Sequence, residues 1–222
     1  NKQTDKFYNY NLHAPASNKI KGIWNIAEDK QGIIWVAGHD ALYRLNEATN
    51  SFENYNAALG INKRDKLSCF TVDNAGNFWI GSDMGIKFYN RKEKKLYDHN
   101  SNPQHIPVFD IEGGIGVIIV SDGNVWFTGS RKIFKYNIAE QKVEQFTFDK
   151  LPLLTLYPEI GKEIAGAICS LKDGKILVPL PGRGLAIYRP EFNKFFIVEA
   201  DNSRSYTYHI AENSTGNICS YQ

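Results

Sequence analysis

The chain has 222 residues and an almost balanced charge, with 26 basic and 24 acidic residues and a formal net charge of +2. This balance, with no basic patch along the sequence, argues against a nucleic-acid-binding surface. No run of about 18 apolar residues predicts a transmembrane helix, and the first residues do not read as a signal peptide.

A turn glycine followed by a short apolar strand occurs five times in the sequence. The spacings between successive glycines are 44, 47, 51 and 42 residues, and the glycines are Gly32, Gly76, Gly123, Gly174 and Gly216. In three copies the third residue after the glycine is tryptophan, giving Trp35, Trp79 and Trp126. A period of roughly 40 to 50 residues is typical of a propeller blade. We therefore predict that these glycines and tryptophans are structural residues of repeated blades.

Each repeat is long enough for four short strands. Apolar patterning and turn residues place those of the first repeat at Ile23–Glu28, Ile33–Ala37, Leu42–Leu45 and Ser51–Tyr55. No helical periodicity is present between them. The sequence thus predicts an all-β fold, a β-propeller with four-stranded antiparallel blades of 42–51 residues.

The repeat boundaries predict a single propeller segment over residues 1–222. It divides into an outer strand at 5–11, blades at about 20–56, 67–99, 113–147 and 163–199, and a half blade at 206–222. We interpret this segment as part of a larger propeller. The alternative is a closed ring in which both ends of the chain form a fifth, three-stranded blade.

The fullest repeat resembles the two-component regulator propeller repeat. It reads Asp73-Asn74-Ala75-Gly76-Asn77-Phe78-Trp79-Ile80-Gly81-Ser82-Asp83-Met84-Gly85-Ile86-Lys87-Phe88-Tyr89, and the first repeat matches it over residues 28–38. The third and fourth repeats diverge, with a shorter turn in the third and Leu177 replacing tryptophan in the fourth. The resemblance implies the periplasmic sensor of a hybrid two-component regulator, a class in which many members respond to glycan fragments.

Two other functions stay open. The stretch Gly123-Asn124-Val125-Trp126-Phe127-Thr128 also resembles repeats of virginiamycin B lyase, a propeller enzyme. Catalysis would require an acid/base or metal constellation, and the five histidines have no metal-ligand spacing. We therefore expect no enzymatic activity, metal or cofactor, and we interpret the glycines at 113–116 as an inter-blade loop rather than a phosphate site. A protein-interaction scaffold is the second alternative.

Ligand-binding residues are predicted in the loops between the second and third strands, because the strand residues are committed to packing. These loops are short and polar, and the candidate residues are His39, Asp40, Asp83, Arg131 and Arg183. The expected partners are an oligosaccharide and the remaining blades and signalling domains of a parent chain. A homodimer is a further option, and nucleic acid is not expected.

Two connections between blades are longer than a propeller needs, at residues 99–112 and 148–163. Loops of this length are often functional or mobile, and the second is unusually apolar. The three cysteines, Cys69, Cys169 and Cys219, fall in different repeats, and we predict small strand residues rather than a redox or metal site.

Overall fold

The computed structural model describes residues 22–129, 132–147, 168–180, 184–199, 209–213 and 215–221. Within these ranges the chain forms four four-stranded sheets and one two-stranded sheet, all antiparallel. The first sheet contains β1 (Ile23–Glu28), β2 (Ile34–Gly38), β3 (Leu42–Asn46) and β4 (Ser51–Asn54). The second contains β5 (Leu67–Val72), β6 (Phe78–Ser82), β7 (Gly85–Asn90) and β8 (Lys95–Tyr97).

The remaining sheets follow the same order along the chain. The third contains β9 (Ile115–Ser121), β10 (Asn124–Gly129), β11 (Lys132–Asn137) and β12 (Lys142–Thr147). The fourth contains β13 (Cys169–Ser170), β14 (Ile176–Leu180), β15 (Gly184–Arg189) and β16 (Lys194–Glu199), and the last contains β17 (His209–Glu212) and β18 (Ile218–Tyr221). Within each sheet, every strand pairs with the next one in sequence. The predicted all-β architecture of four-stranded antiparallel sheets is confirmed. The predicted outer strand at 5–11 lies outside the described residues, and the division into blades stays a prediction.

The turn between the first two strands is held by an aspartate that also positions the repeat tryptophan. In the first sheet the Asp29 carboxylate accepts hydrogen bonds from the backbone of Gln31 (2.9 Å) and Ile33 (3.0 Å) and from Trp35 Nε1 (3.0 Å). Asp73 repeats the arrangement, accepting from the backbone of residues 75 and 77 and from Trp79 Nε1 at 3.2 Å. One side chain thus closes a tight turn and satisfies a buried indole N–H.

The fourth repeat has neither member of this pair. Leu171 stands where the first two repeats have aspartate, and Leu177 stands where they have tryptophan, with the same six-residue spacing. The backbone turn is nevertheless kept, because Gly174 N donates to Leu171 O at 3.0 Å. This turn can therefore form without the aspartate.

The five repeat glycines adopt the left-handed conformation that these turns require. Their φ angles lie between 72° and 87°, at Gly32, Gly76, Gly123, Gly174 and Gly216. A residue with a Cβ atom is strained in this region, so glycine allows the tight reversal between the first two strands.

The core consists of layers between consecutive sheets. Trp35 of the first sheet packs against Phe78 of the second, with ring centroids 4.8 Å apart. Trp126 of the third sheet contacts Tyr188 of the fourth at 4.6 Å. Apolar clusters fill each of these three layers, between the first and second, second and third, and third and fourth sheets. One face of each of the first three sheets is therefore committed to the sheet that follows it.

Three short helical segments were missing from the sequence prediction, and one of them, a 3-10 helix at Pro190–Phe192, joins β15 to β16. Helix α1 (Asn56–Leu59) and the residues after it bury Leu59 and Ile61 between the first two sheets. In the connector at 99–112, a 3-10 helix at Pro107–Asp110 buries Val108 and Phe109 between the second and third sheets. This connector therefore helps to form the core, whereas the long connector at 148–163 lies outside the described residues.

Cys69 packs in the apolar cluster between the second and third sheets. Its thiol is buried, and burial raises its pKa to about 12, so it stays protonated and unreactive. Cys169 is half-buried, and both are free thiols. The side chain of Cys219 lies outside the described part of the structure.

Replacing Gly81 with alanine is expected to destabilise the protein by about 1–3 kcal/mol through overpacking. A Cβ atom there would lie 2.4 Å from Cys69 Sγ and 2.9 Å from Ile115 Cγ2, and both side chains are buried. Urea unfolding measures the loss. Gly114→Ala is the control, because its Cβ atom would meet nothing closer than 3.9 Å. Equal stabilities of the two variants would contradict the close packing.

Candidate functional site

The loops between second and third strands lie at one end of the sheets, which we call the loop end. The turns that contain Asp29 and Asp73 lie at the opposite end, which we call the turn end. Of the predicted ligand-binding residues, His39 and Asp40 lie between β2 and β3, and Asp83 lies between β6 and β7. Arg131 and Arg183 lie outside the described residues, so their part in a site stays a prediction.

The structure brings the loops of the first two sheets together at the start of β5. The carbonyl oxygen of His39 accepts a hydrogen bond from Leu67 N at 3.0 Å. Asp83 N donates to Lys66 O at 3.0 Å, and Lys66 N donates to Asp83 Oδ1 at 3.1 Å. Because Lys66 and Leu67 are consecutive, the two loops are fixed side by side. Side chains from neighbouring sheets therefore face one surface.

Asp40 is held in place by its own sheet. Its carboxylate accepts a hydrogen bond from the Tyr43 hydroxyl at 3.1 Å, and its carbonyl oxygen accepts one from Asn56 Nδ2 at 2.8 Å. Burial, together with the charge and hydrogen bond of Asp40, raises the pKa of Tyr43 to about 12. Tyr43 therefore remains a hydrogen-bond donor, and Asp40 is a fixed, half-buried carboxylate.

The connector before the third sheet completes this surface. Gly114 lies beside Asp83, since a Cβ atom at Gly114 would be 3.9 Å from Asp83 Cα. Gly85 has a φ of 101° and lies under the carbonyl of Ile111, where a Cβ atom would come within 2.9 Å. The absence of a Cβ atom at Gly85 thus allows the connector to approach the loop of the second sheet.

Two exposed side chains at the loop end were not among the predicted site residues. Met84, next to Asp83, is 68% exposed, and Trp24 on β1 is 59% exposed. The indole of Trp24 lies beside the His39 ring, with centroids 6.3 Å apart. The available sequence signal was that Trp24 is the one tryptophan of the four outside the repeat position.

Trp24 lies at a β-bulge of β1. Ile23 pairs with Gly38 and Asn25 pairs with Ala37, so Trp24 has no residue opposite it. The same irregularity occurs on β5, where Ser68 is left unpaired between Leu67 and Cys69. Bulges redirect side chains and are frequent beside binding sites.

Within the described ranges, no group of three or more His, Cys, Asp or Glu side chains is placed to hold a metal ion. None of the helices in the same ranges is long and apolar enough to cross a membrane. The loop end combines hydrogen-bonding groups with exposed apolar side chains.

The family comparison agrees with the repeat pattern. Residues 19–40 match the model of the two-component regulator propeller. The match is confined to this segment, which is similar to a two-component regulator propeller repeat. It includes the turn aspartate Asp29, the repeat tryptophan Trp35, and the loop residues His39 and Asp40, so the matched segment supplies residues to both ends of the first sheet.

Solved structures show the same fold over most of this chain. The extracellular domain of the hybrid two-component system BT4673 from B. thetaiotaomicron is 19% identical, with a TM-score of 0.67, and covers 92% of this chain and 25% of its own. The extracellular domain of BT3049 from the same organism is 18% identical, with a TM-score of 0.68. The match covers 99% of this chain and 28% of the BT3049 domain. The chain thus spans about a quarter of the length of these domains. The predicted β-propeller fold is confirmed.

The propeller is also similar to an enzyme. Virginiamycin B lyase from Staphylococcus aureus is 15% identical, with a TM-score of 0.63, and covers 92% of this chain and 64% of its own. At this identity the similarity concerns the fold alone. A comparison with curated protein sequences finds no match.

Proposed function

We propose that this propeller is the ligand-sensing part of a periplasmic sensor in a hybrid two-component system, and that it recognises oligosaccharide fragments at the loop end. The observation that supports this most is the convergence of two loops on Lys66 and Leu67. It places His39, Asp40 and Asp83 from neighbouring sheets on one surface. Hydroxyl-rich ligands suit such a surface because every one of these groups can exchange hydrogen bonds with them.

Binding rather than turnover is the proposed activity. A sensor requires only that the ligand bind one arrangement of the receptor more tightly than another. The remaining blades and signalling domains of the parent chain would then pass on that change. Association of two copies of the parent chain is compatible with this role.

Thermal unfolding with a panel of oligosaccharides tests the proposal. A ligand at about 100 times its Kd adds about 2.7 kcal/mol, and for a chain of this size each kcal/mol raises the Tm by about 2–4 °C. We expect a selective rise with one saccharide class, reduced in His39→Ala. Conversion of the bound saccharide would instead support an enzyme, and a melt unaffected by every saccharide would favour an interaction scaffold.

A further inference from the structure

Trp24 differs from the repeat tryptophans in its surroundings. Trp35 and Trp79 are buried and donate their indole N–H groups to aspartates. Trp24 is 59% exposed, and its indole N–H has no hydrogen-bond partner within the described part of the chain. At the equivalent bulge of the second sheet the residue is Ser68, so the fold does not require an aromatic ring here. A large apolar side chain kept in water carries a cost that binding would recover.

The orientation of Trp24 places it at the loop end. Its ring contacts His39, whose carbonyl is bonded to Leu67 of the second sheet. By contrast, Ile26 on the same strand is 62% exposed but occupies the position of Phe70, which is buried against the preceding sheet. The exposure of Ile26 therefore belongs to the uncovered face of the first sheet. Trp24 instead lies beside His39 at the loop end, and the His39 loop is joined to the Asp83 loop through Leu67 and Lys66.

The groups around Trp24 match the two surfaces of a sugar ring. A pyranose presents C–H bonds on its face and hydroxyl groups around its edge. The flat indole offers an apolar surface with an N–H donor at its margin. Neither ring nitrogen of His39 is hydrogen-bonded within the described ranges, so the imidazole can donate to or accept from a hydroxyl. The exposed carboxylate of Asp83 supplies further acceptors.

We propose that Trp24 is the stacking platform for one pyranose unit of the bound oligosaccharide, with His39 and Asp83 binding its hydroxyl groups. This inference rests on the proposed function and assigns a residue and a mode of contact to it. Met84 extends the apolar surface beside Asp83. The indole would sit at the centre of the contact, where large aromatic residues contribute most to affinity.

The experiment observes Trp24 directly. The chain is labelled with ¹⁵N-tryptophan, and the indole N–H signals are recorded with cellohexaose, xylohexaose, maltohexaose and mannohexaose at millimolar concentration. Trp24→Phe identifies the Trp24 signal by its loss. We expect the saccharide that raises the Tm to shift this signal, while the signals of the buried Trp35, Trp79 and Trp126 stay in place.

Affinity measurements complete the test. Trp24→Ala is expected to weaken saccharide binding by about tenfold to a hundredfold, and Trp24→Phe, which keeps a ring, by less. Ile26→Ala is the matched control, since it removes an equally exposed side chain from the same strand and should leave the Kd unchanged.

Two results would count against the proposal, and they differ. If a saccharide raises the Tm while the Trp24 signal stays in place and Trp24→Ala binds as well as the original chain, the stacking role is wrong and the sensing function stands. If none of the four saccharides raises the Tm or shifts an indole signal, both are overturned.

Discussion

Replacing Trp79 with alanine is expected to lower the free energy of unfolding by about 3–5 kcal/mol. Trp79 is 2% exposed and packs between sheets, with its ring centroid 4.4 Å from that of Phe88 and 5.8 Å from that of Tyr136. The substitution leaves a cavity at the layer between the second and third sheets. It also removes the indole N–H that binds the Asp73 carboxylate. Urea unfolding followed by circular dichroism measures the loss.

Trp24→Ala is the control for this prediction. It deletes the same side chain from an exposed position, and surface substitutions usually change stability by less than about 0.5 kcal/mol. A large difference between the two variants would show that burial between sheets, rather than indole content, stabilises the repeat. Similar losses would contradict the assignment of Trp79 to the inter-sheet core.

Asp29→Ala is expected to destabilise the protein by about 3 kcal/mol or more, because each buried group left without a partner costs about 1–3 kcal/mol. The side chain of Asp29 is fully buried. Besides its bonds to the turn and to Trp35, it forms an ion pair with Arg91 of the second sheet, Nη1 to Oδ2, at 3.1 Å. One substitution would thus open a turn, free an indole N–H and break a link between sheets.

The control is Asp173→Ala in the fourth repeat. The Asp173 side chain is 52% exposed, and its carboxylate accepts a hydrogen bond from Lys175 N within the same turn. We expect a change within about 0.5 kcal/mol for this exposed residue. An equally small loss for Asp29→Ala would mean that the buried carboxylate is not needed to close its turn.

The pH dependence of unfolding provides a second measurement of how much Asp29 contributes to stability. Burial raises the pKa of Asp29, but hydrogen bonds from Trp35, Ile33 and Gln31 and the charge of Arg91 outweigh this and hold the pKa below its ordinary value. A pKa that is lower in the folded state stabilises the fold above the ordinary aspartate pKa of about 4. This stabilisation is lost as the pH falls through the lowered pKa. The stability difference between the protein and Asp29→Asn should therefore narrow in acid.

The fold was predictable because its signals are local and repeated. A left-handed glycine such as Gly76, followed by an apolar strand, marks the same hairpin in each repeat. The segments that were missed carry no such repetition. Helix α1 is four residues long, and Val108 and Phe109 lie in a connector found once, so neither has enough length for a helical period.

The candidate site was only partly predictable. Loop position identified His39 and Asp83, because loops at a strand end share a surface whatever their sequence. Trp24 was missed because it lies at a bulge, which is a property of strand pairing rather than of local sequence. An alternating pattern assigns every strand residue to one of two faces, and a bulged residue belongs to neither.

The ion pair between Asp29 and Arg91, which we call the clamp, lies at the turn end. The two ends of the sheets therefore tolerate side-chain substitution to different degrees. Between the first two sheets, the contact at the loop end that joins His39 to Leu67 uses main-chain atoms alone. Side chains at the loop end can therefore be exchanged without weakening that contact, whereas those of the clamp cannot. Homologous propellers could thus diverge in ligand preference while keeping one assembly, which makes the loop end the natural place to engineer new recognition.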